Sequence, residues 1–283
     1  MSHPDFPVID AHVHLYPDAI ACKVTPALAG RFGNAPSFDG TIAGCIAHAA
    51  ESGVAASLNL PVATKPDSIG HTNRFWSAYA ARRDGATADG LSPERPRVFS
   101  LAAFHPLVAD KGAEMERIAA DGFTGVKFHP EYQLFGFNDP AMDDAWAAMS
   151  EFGLVAYLHA GGERVFRPPF RSTPSDIVRL QRRFPKLKIV AAHLGGFGMW
   201  DEAEATIVGS SVHLDLSHTF FWMPDAQILR MVKAHGADKV LFGTDAPWQD
   251  PKEVLEAFLK LPLADAERRA ICHDNAARLF LAV

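Results

Sequence analysis

Short apolar runs alternate with amphipathic helical patterns from one end of the 283-residue chain to the other. Eight runs stand out, at residues 8–9 with Ala11, then 55–60, 98–104, 125–128, 154–158, 189–192, 212–216 and 240–242. Several are nearly continuous in apolar residues, as strands covered on both faces must be. Between them, Met142, Ala145, Trp146, Met149 and Phe152 recur at three- and four-residue steps, which makes one apolar stripe on a helix. Ile177, Leu180 and Phe184 repeat the pattern, as do Val254, Leu255, Phe258 and Leu259. Asp139-Pro140, Thr173-Pro174 and Asp250-Pro251 read as helix starts, since proline at the first helical position gives up an N–H that lacks a partner anyway. Glu253 follows Asp250 at capping-box spacing.

Strands alternating with helices imply βαβ units and a parallel sheet. Eight repeats favour closure over an open doubly wound sheet, and no GxGxxG follows the first strand. A closed (β/α)8 barrel takes about 250 residues. The expected fold is therefore α/β, a (β/α)8 TIM barrel, with residues 1–283 as one domain. Two segments break the rhythm. Residues 19–39 are long and turn-rich and, following a strand, are expected to fold over the catalytic mouth. Residues 84–96 are polar, with Gly, Pro and Ser, and are expected as a surface excursion at the opposite end.

A net charge of −6 gives no reason to expect nucleic acid or an anionic membrane as a partner, and no apolar stretch is long enough to span a bilayer. The N-terminus shows no signal-peptide pattern. Cys22, Cys45 and Cys272 are far apart and odd in number, so a disulfide framework is not expected and a reducing cytoplasm is the expected setting. The barrel's exposed sides leave room for a homodimer.

Histidine is the informative residue type, with 13 in the chain. In Asp10-Ala-His12-Val-His14, residues two apart on a strand point the same way, so His12 and His14 can grip one ion. Other strand ends carry Lys127 and His129, His159, His193 and Asp245. In a barrel all strand C-termini converge on one mouth, where imidazoles, a carboxylate and an open position make a metal site. A carboxylate there, Asp245, is placed to move a proton. Packing can put one histidine or aspartate at a strand end, but does not readily supply ligand-type residues at five.

These motifs, DAHVHLYP, GVKFHPEYQ, YLHAGGE, KIVAAHLGG, VLFGTDAPW and NAARLF, resemble those of the metal-dependent amidohydrolase superfamily, in its amidohydrolase-related branch, over essentially the whole chain. The resemblance implies that His12, His14, His159 and Asp245 hold a divalent metal, zinc being expected, with one ion favoured over two. It makes His193 a second-metal ligand or a base that polarises substrate. In binuclear members a carboxylated lysine bridges the metals. Lys127 is at the corresponding strand, but it can equally stay cationic and bind a substrate carboxylate, or be a paired interior lysine. Glu131 is a candidate supplementary ligand, and His129 or Gln133 a candidate substrate contact; each is as readily a loop-ordering residue. Arg164, Arg167 and Arg171 suit carboxylate binding, though solvated loop charge is the plainer reading. Trp200, Trp222 and Trp248 follow late strands and could wall an aromatic pocket or simply pack. Asp215 is placed to orient an imidazole.

The function expected first is hydrolysis of a small amide, lactone or ester, with Asp245 and His193 in catalytic roles. The alternative is a metal-dependent non-oxidative decarboxylase of an aromatic or unsaturated acid. A non-catalytic metal-binding or ligand-binding barrel is disfavoured, because no ligand position carries an inert residue.

Overall fold

The computed structural model describes residues 4–81 and 90–281. Strands form at the apolar runs: β1 (Val8–Val13), β2 (Val54–Asn59), β3 (Arg97–Ser100), β4 (Ala102–Ala103), β5 (Gly125–Phe128), β6 (Val155–Leu158), β7 (Lys188–Ala191), β8 (His213–Asp215) and β9 (Val240–Leu241). The strand expected at 98–104 comes as two segments flanking Leu101, whose carbonyl accepts from the Ser100 hydroxyl. Val8–Val13 and Val54–Asn59 are buried at every position, the polar Asp10, His12, Ser57 and Asn59 included, so neither strand has a solvent face to give a regular apolar–polar alternation.

The chain divides into two compact units. The first comprises residues 4–59, 90–99 and 215–281. In it β1 pairs with β2 in parallel, with Asp10 opposite Ser57 and Val13 opposite Asn59. The chain leaving β9 lies along the other side of β1: Ala11 N donates to Phe242 O at 2.9 Å, and Val13 bridges Ala246 in parallel. Gly243 is needed for this approach, because a Cβ there would meet the His12 Cβ at 3.0 Å. The second unit comprises residues 60–81 and 100–214. Its strands pair in chain order and all in parallel, through Ala103–Lys127, Lys127–Tyr157, Tyr157–Val190 and Val190–His213.

The helices start where proline and a polar cap announce them. Thr173 caps Pro174–Arg183 by accepting from Asp176 N, and Asp250 caps Pro251–Lys260 by accepting from Lys252 N and Glu253 N. Asp139 caps the short turn Pro140–Met142 that leads into the helix Asp143–Phe152. The expected stripe packs inward at Met142, Ala145, Trp146 and Met149, and the Trp146 indole donates to Phe137 O at 3.0 Å. Phe152, at the end of that stripe, is 41% exposed.

The segment 19–39 is not the turn-rich loop expected. Residues Asp18–Phe32 form a helix closed by Gly33 in the left-handed conformation. Pro26 sits inside it and only Ala21 and Thr25 are buried, so the sequence shows neither an unbroken helical run nor an apolar stripe. The chain beyond this helix is tied to the loop after β9: Ser37 N donates to Pro247 O at 2.7 Å, and Asn34 Nδ2 to Trp248 O at 2.9 Å. Of the excursion expected at 84–96, residues 84–89 lie outside the described residues. Among the described residues no helix is long and apolar enough to cross a membrane.

Candidate metal centre

In the first unit the C-terminal ends of β1, β8 and β9 bring together His12, His14, Asp215 and Asp245. His12 Nδ1 lies 2.7 Å from Asp215 Oδ2. A fully buried carboxylate at that distance accepts a hydrogen bond from Nδ1–H, which leaves the lone pair of the neutral imidazole on Nε2. Ser217 completes this corner, with Oγ 3.0 Å from His12 Nδ1 and donating to Asp215 Oδ1.

The two Nε2 atoms of His12 and His14 are 3.3 Å apart. Asp245 Oδ1 is 3.0 Å from His14 Nε2 and 3.6 Å from His12 Nε2, yet this buried oxygen makes no hydrogen bond of good geometry. Two ring nitrogens and a carboxylate oxygen thus converge on one point. That suits a shared cation better than any set of mutual hydrogen bonds, and the two-imidazole, one-carboxylate donor set is the kind a divalent ion takes.

Asp245 reaches this point from an unusual backbone, with φ of 67°, a region that aspartate tolerates better than most residues. Its amide donates to His12 O at 2.8 Å, which locks β1 to the loop carrying the carboxylate. Burial pushes the Asp245 carboxyl up, but the imidazoles of His12, His218 and His14 outweigh it and hold the pKa well below the ordinary carboxylate value. His218 Nδ1 stands 2.9 Å from Asp245 Oδ2. Beneath them, Asp10 accepts from His12 N at 3.1 Å and from Thr244 N at 3.0 Å. Burial raises its pKa to about 7 against the hydrogen bonds from Thr244 and His12.

In the second unit the ends of β5, β6 and β7 carry Lys127, His129, His159 and His193. His193 Nε2 lies 3.1 Å from His159 Nδ1, and His159 Nε2 lies 2.9 Å from Gly162 O. The carbonyl can only accept, so His159 carries its proton on Nε2 and its lone pair on Nδ1. Burial, with His129 adding to it, drives the His159 pKa well below its ordinary value and keeps the ring neutral. His129 stacks on His159 with centroids 4.0 Å apart, and its Nε2 is 3.4 Å from Glu163 Oε2.

The remaining expected residues divide by what they touch. Lys127 is buried with Nζ 5.1 Å from the Tyr157 ring centroid, a distance at which an ammonium is attracted to the ring face. Glu131 accepts from the Arg171 amide, and Gln133 donates to Ala63 O and Phe104 O while accepting from His129 N. Both thereby order loops. Arg164, Arg167 and Arg171 are exposed. Trp248 packs edge-on against Phe32 with centroids 4.9 Å apart, and the Trp200 indole donates to His193 O at 3.0 Å. His218, Ser217 and Glu163 had no role in the sequence reading. The one available signal was HLDLSH, where Ser217 and His218 follow Asp215 within three residues.

Asp215→Ala is expected to weaken divalent-metal affinity about 10–100-fold, as loss of a carboxylate that orients a ligand histidine generally does. Chelator competition on the purified variant reads this directly, and unchanged affinity would remove Asp215 from the site.

The amidohydrolase family model matches residues 9–281. The chain belongs to the amidohydrolase family. No curated protein matches its sequence. Among solved structures, this amidohydrolase is similar to a TIM-barrel protein from Bordetella bronchiseptica, at 19% identity and a TM-score of 0.73 over 97% of this chain and 98% of that one. It is also similar to 5-carboxyvanillate decarboxylase from Novosphingobium aromaticivorans, solved with manganese and 4-hydroxy-3-methoxy-5-nitrobenzoic acid (15%, TM-score 0.73, 98% and 96% covered). The 2,6-dihydroxybenzoate decarboxylase from Rhizobium is a third (18%, TM-score 0.70, 97% and 98% covered). These likenesses show the fold, an α/β barrel of the (β/α)8 TIM type. The chain is an enzyme of the amidohydrolase superfamily, and a divalent metal is the cofactor that superfamily and donor set together support.

Proposed function

We propose that this amidohydrolase-family enzyme is a metal-dependent, non-oxidative decarboxylase of an aromatic carboxylic acid. What carries the reading is likeness over nearly the full length to structures of aromatic-acid decarboxylases, ahead of the hydrolysis favoured by sequence alone. His12, His14 and Asp245 would hold the ion, and His159, whose Nδ1 lies 3.1 Å from His193 Nε2, is kept as the further ligand that the family resemblance implies. When bound, the ion would polarise substrate oxygens and stabilise developing negative charge. The ion is zinc by the sequence expectation, while manganese has the support of the solved decarboxylase.

In the reaction the bond from ring carbon to carboxylate breaks, carbon dioxide leaves, and the electron pair stays on the ring carbon until a proton arrives there. Asp245 is the group that delivers that proton, with His218 at 2.9 Å as its source. Hydrolysis remains the second reading because of one observation: three imidazoles favour the ionised Asp245 carboxylate, the form that takes a proton from water. We further propose that one domain spanning the chain carries the activity, on a small-molecule substrate, with Arg164 and Arg167 available to its carboxylate.

The test is a panel of hydroxybenzoic acids, 5-carboxyvanillate and 2,6-dihydroxybenzoate among them, given to protein loaded with zinc or with manganese. Carbon dioxide release measured by a coupled assay supports the lyase. Acid release from lactones or amides in a pH-stat, with no carbon dioxide from any acid, overturns it in favour of the hydrolase.

A further inference from the structure

The turn that follows β8 does two things at once. Ser217 and His218 hold His12 and Asp245, while Phe221 and Trp222 present large apolar rings to solvent at 68% and 43% exposure. The neighbouring side chains Thr219 and Phe220 are buried, so the turn is anchored from beneath. Trp222 N donates to Thr219 O at 3.1 Å, and the Thr219 hydroxyl donates to Leu216 O at 2.6 Å. His218 N donates to Gln249 Oε1 at 3.0 Å, which ties the turn to the loop beyond Asp245.

Two non-glycine residues here occupy the left-handed region, His218 at φ 50° and Phe221 at φ 70°. Such conformations are strained and persist where the surroundings enforce them, often beside a ligand. Phe221 recovers little of that strain by burial. The Trp222 ring centroid lies 5.9 Å from the His218 ring, and His218 in turn touches Asp245. One short, anchored turn therefore places an exposed indole one residue's width from the carboxylate of the metal centre.

We propose that Trp222 is a specificity-determining residue, its indole forming a stacking platform for the aromatic ring of the substrate beside Asp245. This deepens the decarboxylase reading and rests on it for the substrate class. An indole face stacks on a flat ring in an offset or edge-on arrangement, and this contributes beyond the burial of apolar area. A saturated ring or an aliphatic acid gains the burial alone. Binding from this platform thus selects flat rings over saturated ones of equal size.

The probe is 4-hydroxy-3-methoxy-5-nitrobenzoic acid, titrated by calorimetry into manganese-loaded protein, with benzoate and cyclohexanecarboxylate as a matched flat and saturated pair. Trp222→Ala is expected to weaken the nitro compound on the order of tenfold and to erase the preference for benzoate. Trp222→Phe, which keeps a ring, is expected to restore both to within about threefold. With a turned-over acid, KM should rise in Trp222→Ala more than kcat falls. Trp222 is partly exposed, so both variants are expected to fold, and an unchanged manganese content is the control that the centre is intact. Wild-type affinity in Trp222→Ala, a wild type that prefers cyclohexanecarboxylate, or failure of every aromatic acid to bind would each overturn the platform. Trp222-dependent binding with no carbon dioxide release would leave the platform standing and overturn only the lyase.

Discussion

His12→Ala combined with His14→Ala abolishes turnover and leaves the purified protein without its divalent ion, while the chain stays folded. This is the largest effect expected, because the change removes both imidazole donors from the set that converges with Asp245. The Nε2 atoms stand 3.3 Å apart, and they lie 3.6 Å (His12) and 3.0 Å (His14) from the same Asp245 oxygen. The fold is expected to survive because β1 is held by its backbone. Ala11 N reaches Phe242 O, His14 N reaches Ala246 O, and His12 O accepts from Asp245 N; alanine keeps all three bonds. The cost falls on Asp215 and Ser217, which lose the His12 ring but keep each other. Metal content by mass spectrometry, activity, and a thermal melt check the three parts. Unfolding of the double variant would make these histidines structural and remove the centre from the account.

Asp245→Asn is the second large effect. The amide preserves the size of the side chain and one oxygen, so metal binding is expected to survive in part, while the rate falls about 10²–10⁴-fold. The physical reason is the loss of an ionisable group at the position where a proton must be moved. His12, His218 and His14 hold the carboxylate well below its ordinary pKa against a burial penalty that works the other way. An asparagine can neither take nor give that proton. The measurement is kcat on the metal-reconstituted variant, with metal content alongside it. Near-normal kcat would take Asp245 out of proton transfer in both the lyase and the hydrolase.

The sequence by itself determined the strand and helix alternation, and with it the parallel α/β fold. Strands buried on both faces are written as mainly apolar runs: Val155–Leu158 is apolar throughout, while Val8–Val13 and Gly125–Phe128 are apolar apart from the buried Asp10, His12 and Lys127. It also placed ligand-type residues at strand ends, because a two-residue period fixes that His12 and His14 share a face. It did not show the helix Asp18–Phe32, because Pro26 interrupts the helical pattern and no apolar stripe marks a buried face.

Only the tertiary structure decided which polar residues meet. Asp215 and His12 are 203 positions apart, and Thr244 and Asp10 are 234 apart, so no local pattern records that each pair shares a hydrogen bond. The same holds for Glu131 and Gln133, whose side chains reach backbone groups of other segments. The role of His218 depended on a left-handed backbone at φ 50° that residue identity does not announce. Periodicity is a property of neighbours along the chain and can be read there; the direction in which a side chain finds its partner is set by how distant strands pair, and appears only once they have done so.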